Sequence, residues 1–217
     1  MPLFTNSNSR VLFIHIPKTG GTSVEVMLCK YYAISLHSEG LIPALRVTPQ
    51  HLQISDIKVM LDSSFWDYSF AIVRNPYSRL ESEYFYQMDK RSLQFQKYPD
   101  FSNWVINHID RVKKNRFHLD NHLRPQYEFI DSDVEIFKFE AGIDFIIKEL
   151  SKKLEFKEPG EIIKTNISNK TEVNWSLNAR TQVNNFYKDD FKFFKYEKIE
   201  PTVNISPVTS SDRIGKI

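Results

Sequence analysis

Residues 11–24 constrain the fold most, because an apolar run passes directly into a turn of small polar residues. The run from Val11 to Ile16 is short and rich in β-branched residues, which predicts a buried strand. Pro17 ends the strand, and a turn from Lys18 to Ser23 follows. A helix is predicted from Val24 to Tyr32. The sequence therefore predicts a strand and a helix joined by a tight turn.

The turn between strand and helix is suited to bind an anion. Backbone N–H groups at a helix N-terminus point outward, and the helix dipole favours negative charge there. Gly20 and Gly21 allow a ligand to approach the backbone closely. The other side chains of the turn supply a cationic group and three hydroxyls: Lys18, Thr19, Thr22 and Ser23. An ordinary strand–turn–helix corner is the alternative, but the convergence of these donors favours an anion site.

The order of residues in this turn differs from the nucleotide triphosphate-binding loop. That loop places its lysine after the glycines, in the pattern G-x-x-x-x-G-K-[ST]. Here Lys18 precedes Gly20 and Gly21, and the turn is shorter. We therefore expect the turn to hold one phosphate group rather than a β/γ pair, which argues against a kinase.

A second basic turn follows the next predicted strand, Tyr68 to Val73. Arg74 comes directly after that strand, and its guanidinium can form a bidentate contact with a phosphate. Pro76 is suited to the first turn of a helix. Ser82 would then lie about two turns into that helix and could face the same ligand. The two basic turns together predict one ligand that carries two separated anionic groups.

Further elements alternate along the chain. The predicted strand is Val134 to Phe139, and the predicted helices are residues 51–62, 76–90, 100–114, 141–154 and 176–187. This alternation predicts an α/β fold with three layers and a central, mostly parallel sheet. Ligands of such sheets bind beyond the carboxyl ends of the strands, where both basic turns fall. Residues 1–200 are predicted to form one domain, and residues 201–217 a mobile tail.

Composition excludes several classes of protein. Hydrophobic residues make up 41% of the 217 residues, which predicts a globular chain. A formal net charge of +2 argues against a nucleic-acid-binding protein. The single cysteine, Cys29, excludes an intrachain disulfide and is expected in the core. No apolar stretch is long enough for a membrane span, and no cluster of histidines or carboxylates along the sequence predicts a metal site.

Three stretches together resemble sulfotransferases that use 3′-phosphoadenosine 5′-phosphosulfate (PAPS). Residues 13–23, Phe-Ile-His-Ile-Pro-Lys-Thr-Gly-Gly-Thr-Ser, resemble the 5′-phosphosulfate loop, especially that of the heparan 2-O and chondroitin/dermatan carbohydrate sulfotransferases. Residues 74–82 resemble the 3′-phosphate motif Arg-Asn/Asp-Pro-x-x-Arg-x-x-Ser. Residues 122–130 are similar to the family segment His-x-x-Pro-Gln-x-x-Phe. The resemblance implies a P-loop-like sulfotransferase fold.

The resemblance also implies ligands and site residues. PAPS would be the donor and 3′-phosphoadenosine 5′-phosphate (PAP) the product, with no metal ion and with a carbohydrate or polysaccharide as acceptor. The turn from Lys18 to Ser23 would hold the 5′-phosphosulfate, and Arg74 and Ser82 the 3′-phosphate. Lys18 would also stabilise charge on the bridging oxygen of the leaving phosphate.

The acceptor hydroxyl needs a general base, and histidine is the usual choice near neutral pH. His51 is favoured, because the resembled enzymes place a catalytic histidine between the two cofactor motifs. His122 is the second candidate and more readily shapes the acceptor side. Glu25 and Glu81 rank lower as bases. The remaining histidines are interpreted as structural or, for His37 and His108, as surface residues.

Three functions of different classes remain open from the sequence. A PAPS-dependent carbohydrate O-sulfotransferase is favoured over a small-molecule kinase and over an inactive PAP-binding module. Residues 1–10 lack the features of a signal peptide, so a cytoplasmic location is expected. The alternative is a shortened relative of the membrane-anchored Golgi enzymes. No feature indicates an oligomeric state.

Overall fold

A five-stranded sheet forms the centre of the computed structural model, which describes residues 1–38, 40, 42, 44–90, 100–157 and 172–200. The strands are β1 Leu3–Thr5, β2 Arg10–Ile14, β3 Ala33–Ser35, β4 Tyr68–Val73 and β5 Glu135–Lys138. Their order in the sheet is β3-β1-β2-β4-β5. β2, β4 and β5 are parallel, whereas β1 pairs antiparallel with both β2 and β3. The sheet is therefore mixed, and the predicted α/β class is confirmed.

The three parallel strands are the ones that the sequence predicts. β1 and β3 have only three residues each, too few to show the alternation that identifies a strand. They form through pairing with their neighbours, with Leu3 opposite both Leu12 and Ser35.

Helices cover both faces of the sheet. They are α1 Gly21–Leu28, α2 Ile54–Met60, α3 Pro76–Lys90, α4 Phe101–Lys114, α5 Ile143–Lys153, α6 Leu177–Phe186 and α7 Lys188–Phe193. The helix predicted at residues 76–90 appears with the same bounds, and the other predicted helices appear with shifted ends. Asp100 and Ser176 accept backbone N–H groups at the starts of α4 and α6.

Alternation along β2 divides the core between the two faces of the sheet. Val11 and Phe13 point to the face covered by α1 and α5, where Phe13 stacks on Phe70 at 4.7 Å between ring centroids. Leu12 and Ile14 point to the opposite face and pack with α2. A third apolar cluster joins α3, α4, α6 and α7. Because both faces of the sheet are buried under helices, the three-layer arrangement follows.

Two expectations about single residues are wrong. Cys29 is exposed, because α1 ends one residue before it. His108 is buried, and its Nδ1 atom lies 2.8 Å from the Nε2 atom of His118.

No helix in the described part of the chain is both long and apolar enough to span a membrane. The predicted tail, residues 201–217, lies outside the described residues, and one domain over residues 1–200 stays a prediction.

Candidate active site

The two basic turns lie side by side, because the parallel strands β2 and β4 end at the same edge of the sheet. The Arg74 guanidinium Nη1 donates to the carbonyl oxygen of Lys18 at 3.2 Å. Lys18 and Gly20 both adopt left-handed backbone conformations, with φ of 67° and 85°. The buried Thr19 hydroxyl donates to the carbonyl oxygen of Ile16 at 2.8 Å. That hydroxyl therefore stabilises the turn, and α1 begins directly after Gly20.

Both glycines of the turn are in tight surroundings. A Cβ atom on Gly20 would lie 2.8 Å from Ile143 Cδ1 and 2.9 Å from Phe139 Cε2. A Cβ atom on Gly21 would lie 2.7 Å from Nε2 of His15. The turn is thus packed against His15, which directly follows β2, and against Phe139 and Ile143 before and at the start of α5.

We expect Gly20→Ala to destabilise the fold by about 2–5 kcal/mol, since alanine adds both backbone strain and overpacking at this position. Gly142→Ala is the matched control. Gly142 also has a left-handed φ, 94°, but nothing lies within 4 Å of its added Cβ. Since its ψ of 139° lies in a region that alanine also avoids, the control should lose only a backbone contribution of about 1–3 kcal/mol. Urea unfolding of both variants measures the difference, and equal losses would contradict the packing argument.

Gln126 fixes the backbone of Arg74. Its side-chain oxygen accepts the Arg74 N–H at 2.9 Å, and its Nε2 donates to the Arg74 carbonyl at 2.7 Å. The Arg74 guanidinium also lies over the Phe139 ring at 4.4 Å and donates to the Ser78 hydroxyl at 3.1 Å. Ser82 lies one turn beyond Ser78 on α3, at the partly exposed surface. Gln126, in the segment of residues 122–130, therefore supports the second basic turn, a role that the sequence did not predict.

Asp190 of α7 holds Gln126 in place. Its carboxylate accepts the backbone N–H groups of Gln126 and Tyr127 at 2.9 Å and 3.0 Å. Burial raises the pKa of Asp190 to about 6, although these hydrogen bonds oppose the shift. A helix far along the chain thus positions the arginine that follows β4.

Arg79 connects the first turn with residues 122–124. Its guanidinium donates to three carbonyl oxygens: Pro17 at 2.9 Å, His122 at 2.7 Å and Arg124 at 2.9 Å. The side chain is almost completely buried, with 2% of the residue exposed. Since a buried cation needs compensating acceptors, these carbonyls fix the relative position of the two segments.

Three histidines that are distant in sequence meet beside the first turn. The ring of His51 lies 5.6 Å from that of His15 and 4.8 Å from that of His122, between centroids. His122 also stacks on Tyr86 at 5.7 Å, and the Lys18 ammonium lies over the same tyrosine ring at 3.7 Å. The two histidines singled out from the sequence, His51 and His122, are therefore neighbours.

Each imidazole of this cluster has a carboxylate at its Nδ1 atom. The pairs are His15 with Glu25 at 2.5 Å, His51 with Asp120 at 2.7 Å and His122 with Glu83 at 2.7 Å. A carboxylate at Nδ1 fixes the tautomer and stabilises an imidazolium, as in serine hydrolases. Such pairs can accept a proton at the opposite ring nitrogen.

His51 is 8% exposed and ends a short 3-10 turn, Pro49–His51. Burial lowers its pKa to about 3, and the hydrogen bond to Asp120 opposes this shift. Asp120 is itself held by Thr48, whose N–H and hydroxyl each donate to the carboxylate at 2.7 Å. Burial therefore favours the neutral form of His51, and the fixed carboxylate orients its ring.

The chain that presents Asp120 and His122 has an unusual backbone. Leu119, Asp120 and Asn121 adopt consecutive left-handed conformations, with φ of 53°, 54° and 62°. Aspartate and asparagine adopt this conformation more readily than other non-glycine residues, so the energetic cost falls mainly on Leu119. The fully buried Asn121 donates to the His51 carbonyl at 3.0 Å, which helps to hold this segment.

The two carboxylates ranked below the histidines have other partners. Glu25 is buried against His15, and Gln50 Nε2 lies 3.4 Å from each of its oxygens. Glu81 accepts the indole N–H of Trp175 at 2.8 Å. Sequence reasoning missed Asp120 and Glu83 as partners of the histidines, because no local pattern relates residues so far apart in the chain.

One of three comparisons with known proteins gives a match. A family model described as the sulfotransferase family matches residues 1–197. Neither the curated proteins nor the solved structures give a match. Since the matched region covers most of the 217 residues and includes both basic turns and the histidine cluster, the chain belongs to the sulfotransferase family.

Proposed function

We propose that this protein transfers a sulfuryl group from PAPS to a hydroxyl group of a carbohydrate and releases PAP. The observation that carries the proposal is the contact between Arg74 and Lys18, which joins two basic turns into one site beside a histidine cluster. Membership of the sulfotransferase family supports sulfuryl transfer in general. The carbohydrate acceptor rests on the likeness of residues 13–23 to carbohydrate sulfotransferases.

The proposed reaction is an in-line displacement at sulfur. The acceptor oxygen forms a bond to sulfur while the bond from sulfur to the bridging phosphate oxygen breaks, and the acceptor proton passes to a histidine. Positioning and charge stabilisation supply most of the rate enhancement in such transfers. Backbone N–H groups of the turn and the Lys18 ammonium would stabilise the leaving phosphate. This mechanism requires no metal ion.

His51 is the proposed base, with Asp120 stabilising the imidazolium that forms. His122, held by Glu83, would bind the acceptor hydroxyl. Its stacking on Tyr86, next to Lys18, places it close to the group that would contact the sulfuryl donor. The reverse assignment of the two histidines is the second candidate, supported by the same proximity of His122 to Lys18.

We expect PAP to raise the melting temperature of the protein without added metal, whereas ATP with Mg²⁺ has little effect. A ligand at one hundred times its dissociation constant stabilises the folded state by about 2.7 kcal/mol. Thermal unfolding with PAP, PAPS, ATP and GTP measures this. Stabilisation by ATP with Mg²⁺ but not by PAP would move the protein to the kinase class.

Turnover separates an enzyme from an inactive PAP-binding module. Labelled PAPS is incubated with a panel of oligosaccharides containing uronic acid and hexosamine, and sulfated products are measured. Stabilisation by PAP without transfer to any acceptor would favour the binding module.

A further inference from the structure

We propose that His51, Asp120 and His122 form a binding site for a transition-metal ion of the Zn²⁺ type, and that the bound ion inhibits the enzyme. The inhibitory effect rests on the proposed function, since it requires sulfuryl transfer by these histidines. Metal binding itself does not depend on that function. The enzyme would need no metal ion for sulfuryl transfer, but free zinc would inhibit it.

The three side chains already lie close to a ligating arrangement. One ligand atom from each residue can be chosen so that all three lie within 4.8 Å of one another. Tetrahedral zinc ligation places neighbouring ligand atoms about 3.3 Å apart. Side-chain rotations that move the ligand atoms by roughly 1–2 Å would therefore suffice to close the site around an ion.

The residues around the triad orient it as the outer shell of a metal site does. Glu83 is completely buried and pairs with Nδ1 of His122, which leaves Nε2 as the ligating nitrogen. Thr48 donates twice to Asp120 and so fixes the carboxylate. Carboxylates at the second nitrogen of a ligating histidine are a regular feature of zinc sites.

The backbone gives an independent indication that this position is specialised. Asp120 lies in the middle of the three consecutive left-handed residues, and His122 follows them directly. A residue such as Leu119 is costly in this conformation, and costly conformations cluster at catalytic and ligand-binding sites, where other contacts enforce them. Here this backbone brings a carboxylate and an imidazole to the same side as His51.

The donor set selects the class of ion. Two imidazoles and one carboxylate suit zinc and similar transition metals, whereas Mg²⁺ prefers an octahedron of oxygen ligands. Three protein ligands leave a fourth position for water or for the acceptor hydroxyl. An ion shared with Asp120 would bind Nδ1 of His51 and leave the ring proton on Nε2, so Nε2 could not accept the proton of the acceptor hydroxyl and transfer would stop.

Isothermal titration of the full chain with ZnCl₂ and with MgCl₂ tests binding, and Co²⁺ absorption spectra report the ligand geometry. We expect the chain to bind one equivalent of Zn²⁺ and no Mg²⁺. Asp120→Asn and His122→Asn should each weaken Zn²⁺ binding at least tenfold. Asp120→Asn keeps the side-chain shape and His122→Asn keeps a donor towards Glu83, and circular dichroism verifies that the variants fold.

Other groups could also bind zinc, and two of them serve as controls. Cys29 is exposed, and His118 contacts His108, so the matched variants Cys29→Ser and His118→Ala should bind Zn²⁺ as the native chain does. Absence of Zn²⁺ binding, or binding that persists in both Asp120→Asn and His122→Asn, would overturn the site.

The inhibitory role has a separate readout. Zn²⁺ should abolish transfer from PAPS, and EDTA should restore it, while the thermal shift produced by PAP remains. Zn²⁺ binding at the triad without loss of transfer would overturn the inhibitory role alone. If the chain transfers no sulfuryl group at all, the proposed function fails, and the titration still decides whether the metal site exists.

Discussion

His51→Asn is expected to lower turnover by about 10²–10⁴, the usual effect of removing a general base, with nearly unchanged affinity for PAP. Asparagine can place an N–H near the position of the imidazole Nδ1, so the contact with Asp120 is kept while the proton acceptor is lost. Initial rates with labelled PAPS and titration with PAP measure the two effects.

His122→Asn tests the proposed role of His122 in binding the acceptor hydroxyl. Since asparagine can still donate to the buried Glu83, the variant avoids an unpaired buried carboxylate, which alanine would leave. We expect the acceptor KM to rise more than kcat falls, because His122 is assigned to acceptor binding. His118→Ala, outside the cluster of three histidines, is the control and should leave both constants unchanged.

The outcome can reverse the assignment of the two histidines. Near-full turnover of His51→Asn together with an inactive His122→Asn that still binds PAP would make His122 the base. Retention of activity by both variants would reject the histidine mechanism, and Glu25 and Glu81 would become the residues to test.

Arg74→Ala is expected to weaken PAP binding by about 1.5–3 kcal/mol, the cost of losing a charge-assisted hydrogen bond to the 3′-phosphate. Ser82→Ala removes a hydroxyl from the adjacent face of α3 and should show a smaller loss for the same ligand. Adenosine 5′-phosphate, which lacks the 3′-phosphate, should bind the native chain and both variants with similar affinity. Equal losses for both ligands would show that these residues do not contact the 3′-phosphate.

Gln126→Ala tests whether the support of the Arg74 backbone matters for PAP binding. The variant keeps the Arg74 guanidinium but removes both hydrogen bonds to its backbone. A selective loss of affinity for PAP would indicate that Arg74 must be held in place as well as present. An unchanged affinity would show that the contact with Lys18 positions Arg74 sufficiently.

The sequence by itself determined the parts of the protein that local patterns specify. The turn from Lys18 to Ser23, the strands before it and before Arg74, and the likeness to sulfotransferases all reside in contiguous stretches. Such stretches carry their own signals, because burial of a strand and the backbone of a glycine turn depend on neighbouring residues. The predicted α/β class followed from the order of these elements and is confirmed.

Only the tertiary structure decided which residues meet at the site. Asp120 reaches His51 across 69 residues and Glu83 reaches His122 across 39, so no periodicity relates them. The antiparallel strands β1 and β3 likewise depend on pairing rather than on their own three residues. The support that Arg79 gives to two segments through backbone carbonyls has no sequence signal, since every residue has a carbonyl group. Long-range packing thus selects the partners of each histidine, and that selection gives the candidate site its chemistry.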